Sequence, residues 1–97
     1  MNVIFYSPGF CYLLSDNDQF ILDINSGRGF AGFTISVALS EDQKAAYYEK
    51  GYSYIEELAE HIHQNQDLYF ERQIDQDTQK IMHAAIMEWQ KKNNIKV

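Results

Sequence analysis

The sequence has little cysteine, little basic charge and no long apolar run, and each shortage excludes a class of protein. The single cysteine, Cys11, cannot form an internal disulfide, which fits a reducing compartment. Eight basic residues are outnumbered by fourteen acidic ones, so the formal net charge is −6. This charge disfavours a stand-alone nucleic-acid binder, because phosphate recognition requires a basic surface.

Membrane and export signals are also missing. No apolar run approaches the ~20 residues that a membrane-spanning helix requires. The first residues have neither the basic region nor the long apolar region of a signal peptide. We therefore expect a cytoplasmic protein whose partners are neither nucleic acids nor membranes.

What is present is the composition of one globular domain. The 97 residues are close to the usual domain length of ~100–150. A content of 45% hydrophobic and 23% charged residues excludes wholesale disorder. We expect a single domain over residues 1–97.

Four short apolar runs in the first forty residues predict β-strands. Turn-forming residues separate them, and they lie at 3–6, 10–14, 20–24 and 33–39. In the last run Phe33, Ile35, Val37 and Leu39 alternate with smaller or polar residues, which is the period of a strand. The connections are short and favour antiparallel neighbours, since parallel crossovers need a dozen or more residues.

After residue 39 the apolar residues no longer alternate, and the pattern predicts helices. Ser40 and Gln43 have the spacing of a capping box, so a first helix should begin there, run to Lys50 and end at Gly51. Ser53 begins a second capping box, which predicts a helix that frays near residue 65. Its apolar stripe consists of Ile55, Leu58, Ala59 and Ile62.

The remainder of the chain predicts one more helix. Residues 66–75 fit either a short strand or a helical turn. From about Asp77 a helix with a wide apolar face is predicted, formed by Ile81, Met82, Ala85, Ile86 and Trp89. Strands followed by helices predict an α+β fold, with a mostly antiparallel sheet of about four strands and three C-terminal helices packed on one face.

Possible catalytic and cofactor-binding motifs are present, but the elements predicted around them do not suit the corresponding sites. Residues 27–32 match the spacing G-x-G-x-x-G, but the third glycine precedes a predicted strand instead of the helix that would bind a pyrophosphate. We therefore interpret this segment as a loop between strands, with Arg28 at its tip. His61 and His63 are two residues apart, so on a helix they face away from each other and do not share a metal. Cys11 lies in an apolar strand, where cysteine acts as a small hydrophobe. We expect no catalytic residue, no metal and no cofactor.

Acidic residues and tyrosines are concentrated together in the helical part of the chain. Residues 41–77 contain ten acids and three bases, while the last twenty residues contain four lysines and one glutamate. A solvated helical face that confers solubility explains the acids, but it does not explain four nearby tyrosines. Tyrosine is typical of protein interfaces, and an acidic face would attract a basic partner. The predicted partner-binding residues are Glu41, Asp42, Tyr47, Tyr48, Glu49, Tyr52, Tyr54, Glu56, Glu57 and Glu60.

A family resemblance rests on these features and on one segment of the chain. That segment runs from Leu39-Ser40-Glu41 through Gly51 to Ala59. In size, acidity and lack of catalytic motifs, the chain resembles the small immunity proteins of bacterial contact-dependent growth inhibition systems. The resemblance implies a cytoplasmic inhibitor that binds one cognate basic toxin domain, one-to-one, and blocks its active site. Nucleases are one class of such toxins.

Two other functions are compatible with the same residues. One is a non-catalytic adaptor or regulatory module that binds through a sheet edge or through residues 66–75. The other is a small nucleotide-binding or metal-dependent enzyme that uses Arg28, the glycine loop and a histidine.

Overall fold

Four strands form a single antiparallel sheet at the N-terminal end of the chain. The computed structural model describes residues 1–8, 10–25 and 34–93. The strands are β1 (Asn2–Ser7), β2 (Cys11–Asp16), β3 (Gln19–Asn25) and β4 (Thr34–Ala38). They pair in sequence order, each antiparallel to the next, as the short connections predicted. The glycine-rich loop predicted at 27–32, with Arg28, lies outside the described residues.

Within the described part of the chain four helices follow the sheet, and together the elements form a compact α+β globule. They are α1 (Glu41–Lys50), α2 (Tyr52–Gln64), α3 (Gln66–Tyr69) and α4 (Gln76–Lys92), with a 3₁₀ turn at Phe70–Arg72. The predicted fold class and antiparallel sheet are confirmed. No helix within the described ranges has the length and apolar character to cross a membrane.

Local capping chemistry sets the start and the end of α1. The Gln43 backbone N–H donates to Ser40 Oγ at 3.2 Å, and the Ser40 N–H donates to Gln43 Oε1 at 2.9 Å, so the predicted capping box is confirmed. The helix ends where Gly51 adopts a φ of +73°, and the Gly51 N–H donates to the Tyr47 carbonyl. Glycine suits this position because other residues rarely adopt a positive φ.

The second predicted capping box is wrong. Helix α2 begins at Tyr52, one residue before Ser53, and Gly51 serves both as its N-cap and as the C-cap of α1. Ser53 therefore lies inside the first turn, and its hydroxyl donates to the Lys50 carbonyl at 3.1 Å. A single shared residue between two helices leaves no separate capping position for a side chain.

Residues 66–75, for which the sequence left strand and helix open, contain both kinds of structure. After α3 and the 3₁₀ turn, Gln73 forms a single antiparallel bridge with Val37 of β4. The Ile74 N–H donates to the Ser36 carbonyl at 2.9 Å. This short extended stretch covers part of the β4 edge, which would otherwise leave backbone groups unpaired.

Both faces of the sheet are covered. Successive strand residues point to opposite faces, yet Leu13 and Leu14 are both fully buried. Leu13 belongs to a cluster with Ile55 and other residues of α2, whereas Leu14 belongs to a cluster with Met82 of α4. The predicted placement of all helices on one face is therefore wrong for α4, which covers the opposite face.

The apolar face predicted for α4 is correct at its centre and too wide at its margin. Met82 and Ile86 are buried, and Ala85 is packed against the same cluster. Ile81, predicted on the same face, is 59% exposed. Ile81 lies about 100° around the helix from Met82, at the edge of the contact with the sheet.

Candidate protein-binding surface

Five aromatic rings from four elements meet where α1 joins α2, and we call this set the aromatic patch. Its members are Phe5 of β1, Phe20 of β3, Tyr47 and Tyr48 of α1, and Tyr52 of α2. The Phe5 and Tyr52 rings stack with centroids 4.7 Å apart. The Phe20 ring meets Tyr47 at 5.3 Å and Tyr48 at 5.8 Å, in both cases edge to face. Such pairs contribute about 0.5–1.5 kcal/mol each beyond their buried area, so the contacts between the rings help to hold α1 and α2 against the sheet.

Sequence-local and long-range contacts together position these rings. The link through Gly51 is one residue long, so the last turn of α1 and the first turn of α2 lie side by side, with Tyr47 and Tyr52 centroids 6.0 Å apart. The Tyr52 hydroxyl donates to the Ile4 carbonyl at 3.1 Å. Ile4 lies at the irregularity in the β1–β2 pairing between Val3 and Phe5, on an edge strand of the sheet. Tyr52 thereby joins α2 to the sheet edge.

Parts of the patch remain accessible. Tyr48 is 68% exposed and Tyr52 is 46% exposed, while the other three rings are half-buried. Phe20, Tyr47, Tyr48, Gly51 and Tyr52 line a shallow depression of about 340 Å³. Burial raises the pKa of Tyr47 above its usual value, and the neighbouring Tyr52 and Tyr48 raise it further. The Tyr47 hydroxyl is therefore neutral at physiological pH.

The acidic residues of α1 lie on the solvent side of that helix. Glu41, Asp42 and Glu49 are all exposed. Glu41 is seven residues before Tyr48 and Asp42 is seven before Glu49, so each pair lies on one side of the helix. Glu41 forms an ion pair with Lys44 at 3.4 Å, but its side chain is 91% exposed and the pair contributes little. These carboxylates remain available to a partner.

On α2 the predicted residues divide into two rows. Glu56 and Glu60 follow Tyr52 at intervals of four, so they lie on the side of the aromatic patch, and both are exposed. Tyr54 and Glu57 are three residues apart and form a second row, since Tyr54 is rotated by about 200° from Tyr52. The structure thus brings Tyr47, Tyr48 and Tyr52 together. It places Glu56 and Glu60 on the Tyr52 side of α2 and leaves Tyr54 and Glu57 in another row.

The second row has its own surroundings. Tyr54 is half-buried, and its pKa is raised mainly by burial and also by Tyr69 and Glu57. Arg72 places its guanidinium 5.2 Å from the centroid of the Tyr69 ring and donates to the Ala38 carbonyl and Gln43 Oε1, each at 3.0 Å. This side of α2 therefore carries the Arg72 cation next to the Tyr69 ring.

Sequence reasoning missed two members of the patch. The sequence predicts Phe5 and Phe20 only as strand residues, and they reach the tyrosines through packing between residues far apart in the chain. One signal was available, since Phe20 opens the run Phe20-Ile21-Leu22 and a strand with consecutive apolar residues has both faces covered. The run does not indicate which helix covers each face of the strand.

Cys11, His61 and His63, which do not fit a catalytic or metal site in the sequence, pack against neighbouring residues in the structure. Cys11 is 1% exposed, and burial raises its pKa to about 12, so its sulfur is a thiol at neutral pH. His61 meets the Tyr69 ring edge to face, and His63 meets the Phe10 ring. Within residues 1–8, 10–25 and 34–93, no group of three or more His, Cys, Asp or Glu side chains is arranged to hold a metal.

One buried carboxylate lies apart from this surface, on the α4 face of the sheet. Asp23 is 7% exposed and accepts a hydrogen bond from Ser36 Oγ at 2.7 Å. Burial raises the pKa of Asp23, and the Ser36 hydrogen bond and the nearby His83 partly oppose that rise. A buried carboxylate costs stability unless hydrogen bonds compensate for its lost hydration.

No family model, no curated protein and no solved structure matches this chain. Its function has to be inferred from the described residues, and the aromatic patch beside exposed carboxylates is the arrangement that most resembles a binding surface.

Proposed function

We propose that this protein is an inhibitor of the immunity type, which binds a cognate basic toxin domain in the cytoplasm and occludes its active site. The observation that carries the proposal is the accessible aromatic patch bordered by exposed carboxylates. Residues 41–64 contain six acids and two bases, so the helices that present the patch have a net charge of −4. The proposed contact surface consists of α1, the Tyr52–Glu60 side of α2 and the patch.

The two components of this surface have different roles in binding. Aromatic side chains provide a large desolvated area at low entropic cost, and tyrosine is enriched among the residues that dominate binding energy. The carboxylates accelerate association, because opposite charges steer two proteins together before contact. A toxin that acts on a negatively charged substrate has a basic cleft, and an acidic inhibitor seated there would exclude that substrate.

A second candidate is a non-catalytic adaptor that binds through residues 66–72. Leu68 is 67% exposed and Phe70 is 42% exposed, so the segment presents apolar area away from the aromatic patch. The two candidates differ in which surface a partner covers, and variants of each surface distinguish them.

The experiment first asks whether a toxin-like domain is encoded immediately upstream of this chain, and such a domain is then produced together with the chain. The variant carries Glu56→Lys and Glu60→Lys on the patch side of α2, and the control carries Glu57→Lys and Glu71→Lys. Both variants change the charge by the same amount at exposed positions. We expect the patch-side variant to bind at least about tenfold more weakly and to lose much of its salt dependence, while the control is affected far less.

Three results would argue against the proposal. Equal loss of affinity in both variants would mean that only overall charge matters. Unchanged affinity in both, together with a loss in Leu68→Ala, would favour the adaptor. Failure of the chain to bind or to protect cells from the neighbouring domain would remove the inhibitor function altogether.

A further inference from the structure

We infer that the depression in the aromatic patch is a binding site for an arginine side chain of the partner. The inference rests on the proposed function, because it names the group that the same surface receives. It also changes the expected roles of the rings. The patch encloses a depression, so it can receive a side chain of the partner.

The rings are arranged as walls around an open space. The Phe20 ring is inclined by 68° to Tyr47 and by 77° to Tyr48, so it stands nearly perpendicular to both. The Tyr52 ring lies beside the Tyr47 ring, with the two centroids 6.0 Å apart, and continues the lining of the depression. Gly51 completes the lining without a side chain, and among the described residues other than its chain neighbours no atom lies within 4 Å of the place a Cβ would occupy. A planar side chain that enters the depression would therefore lie beside rings of two different orientations.

The electrostatics of the depression favour a cation. The face of an aromatic ring is negative, and a cation within about 6 Å of the centroid is attracted to it. The negative end of the α1 dipole and the positive end of the α2 dipole meet at Gly51, so the helix dipoles largely offset each other there. The attraction must then come from the rings and from the carboxylates of the same two helices, whose net charge is −4.

Guanidinium suits this site better than ammonium. It is planar, it stacks on aromatic faces and it is less strongly hydrated than the ammonium group of lysine. Tyrosine hydroxyls at the rim can accept its N–H donors. The protein already contains one such contact, since the Arg72 guanidinium lies 5.2 Å from the centre of the Tyr69 ring. An arginine from a basic partner would repeat that contact with several rings.

The test is a titration of the full chain followed by the aromatic signals in ¹H–¹³C NMR spectra. The probes are N-acetyl-arginine methylamide, its neutral isostere N-acetyl-citrulline methylamide, and N-acetyl-lysine methylamide. We expect saturable shifts of the Phe20, Tyr47, Tyr48 and Tyr52 signals with the arginine probe. Binding of the lysine probe should be at least about threefold weaker, and the citrulline probe should give no saturation.

Variants of Tyr48 test whether the arginine probe binds at the aromatic patch. Tyr48→Leu removes an exposed wall and should weaken arginine binding at least about threefold, whereas Tyr48→Phe should retain it. Tyr54→Leu on the other row of α2 is the matched control and should leave binding unchanged. Melting temperatures of all variants show whether each is folded.

The outcomes separate this inference from the proposed function. Equal binding of arginine and citrulline probes, shifts outside the patch, or no effect of Tyr48→Leu would overturn the arginine site. If the probes fail while Glu56→Lys with Glu60→Lys still weakens the toxin complex, the inhibitor function stands without it. If the arginine probe binds the patch but no toxin domain binds the chain, the site stands and the inhibitor function fails.

Discussion

Truncation of Leu14 tests the finding that helices cover both faces of the sheet. Leu14 has an exposure of 0% and belongs to the cluster of Ile21, Met82 and Ile86 on the α4 face. Replacing such a leucine by alanine removes its transfer free energy and leaves a cavity, which together cost about 2–5 kcal/mol. A chain of this length has a total stability of about 5–15 kcal/mol, so Leu14→Ala removes a large share of it.

Two further leucines provide matched controls. Leu13→Ala tests the opposite face and should cost a similar amount, because Leu13 is also at 0% exposure. Leu68→Ala makes the same chemical change at a position that is 67% exposed, and it should alter stability by no more than about 0.5 kcal/mol.

The assay is equilibrium unfolding in urea, followed by circular dichroism. With a slope of about 1.5 kcal/mol per molar urea, a loss of about 3 kcal/mol lowers the midpoint by about 2 M. If Leu14→Ala is too unstable to purify, Leu14→Val gives the same comparison with a smaller loss. The two-face arrangement is refuted if Leu14→Ala and Leu68→Ala have the same midpoint while Leu13→Ala is strongly destabilised.

The remaining predictions concern two buried groups. Because burial raises the pKa of Asp23 in the folded state, its ionisation costs stability above that raised pKa, and the cost disappears as pH falls toward the unfolded value. Asp23→Asn, which can still accept from Ser36, should therefore be more stable than the native chain at pH 7 in urea unfolding, with a difference that shrinks toward pH 4; a difference that grows on acidification would contradict this. Cys11 should resist a thiol reagent at pH 8 in the native protein and react fully in urea, because it is 1% exposed and its pKa is raised to about 12. Rapid labelling of the native protein would show that β2 opens.

The elements themselves could be predicted because their signals are local. The Ser40–Gln43 capping box and the end of α1 at Gly51 depend on residues within one or two turns of each other. The second box at Ser53 failed for a related reason. Two helices that share one glycine leave no room for a separate cap, and that constraint appears only when both helices are placed.

The layering of the fold required the tertiary structure. Adjacent apolar residues such as Leu13 and Leu14 indicate that both faces of a strand are buried, but they do not say which helix covers which face. The assignment of α2 to one face and α4 to the other follows from chain connections and from the fit of whole side-chain clusters.

The sequence alone determined the charge, the number of tyrosines and the angular position of each residue around its helix, since composition and helical period are properties of the chain. Only the tertiary structure decided that Tyr47, Tyr48 and Tyr52 meet Phe5 and Phe20. Phe5 and Tyr52 are 47 positions apart, and their stacking depends on strand pairing and helix packing acting together, which no local pattern encodes.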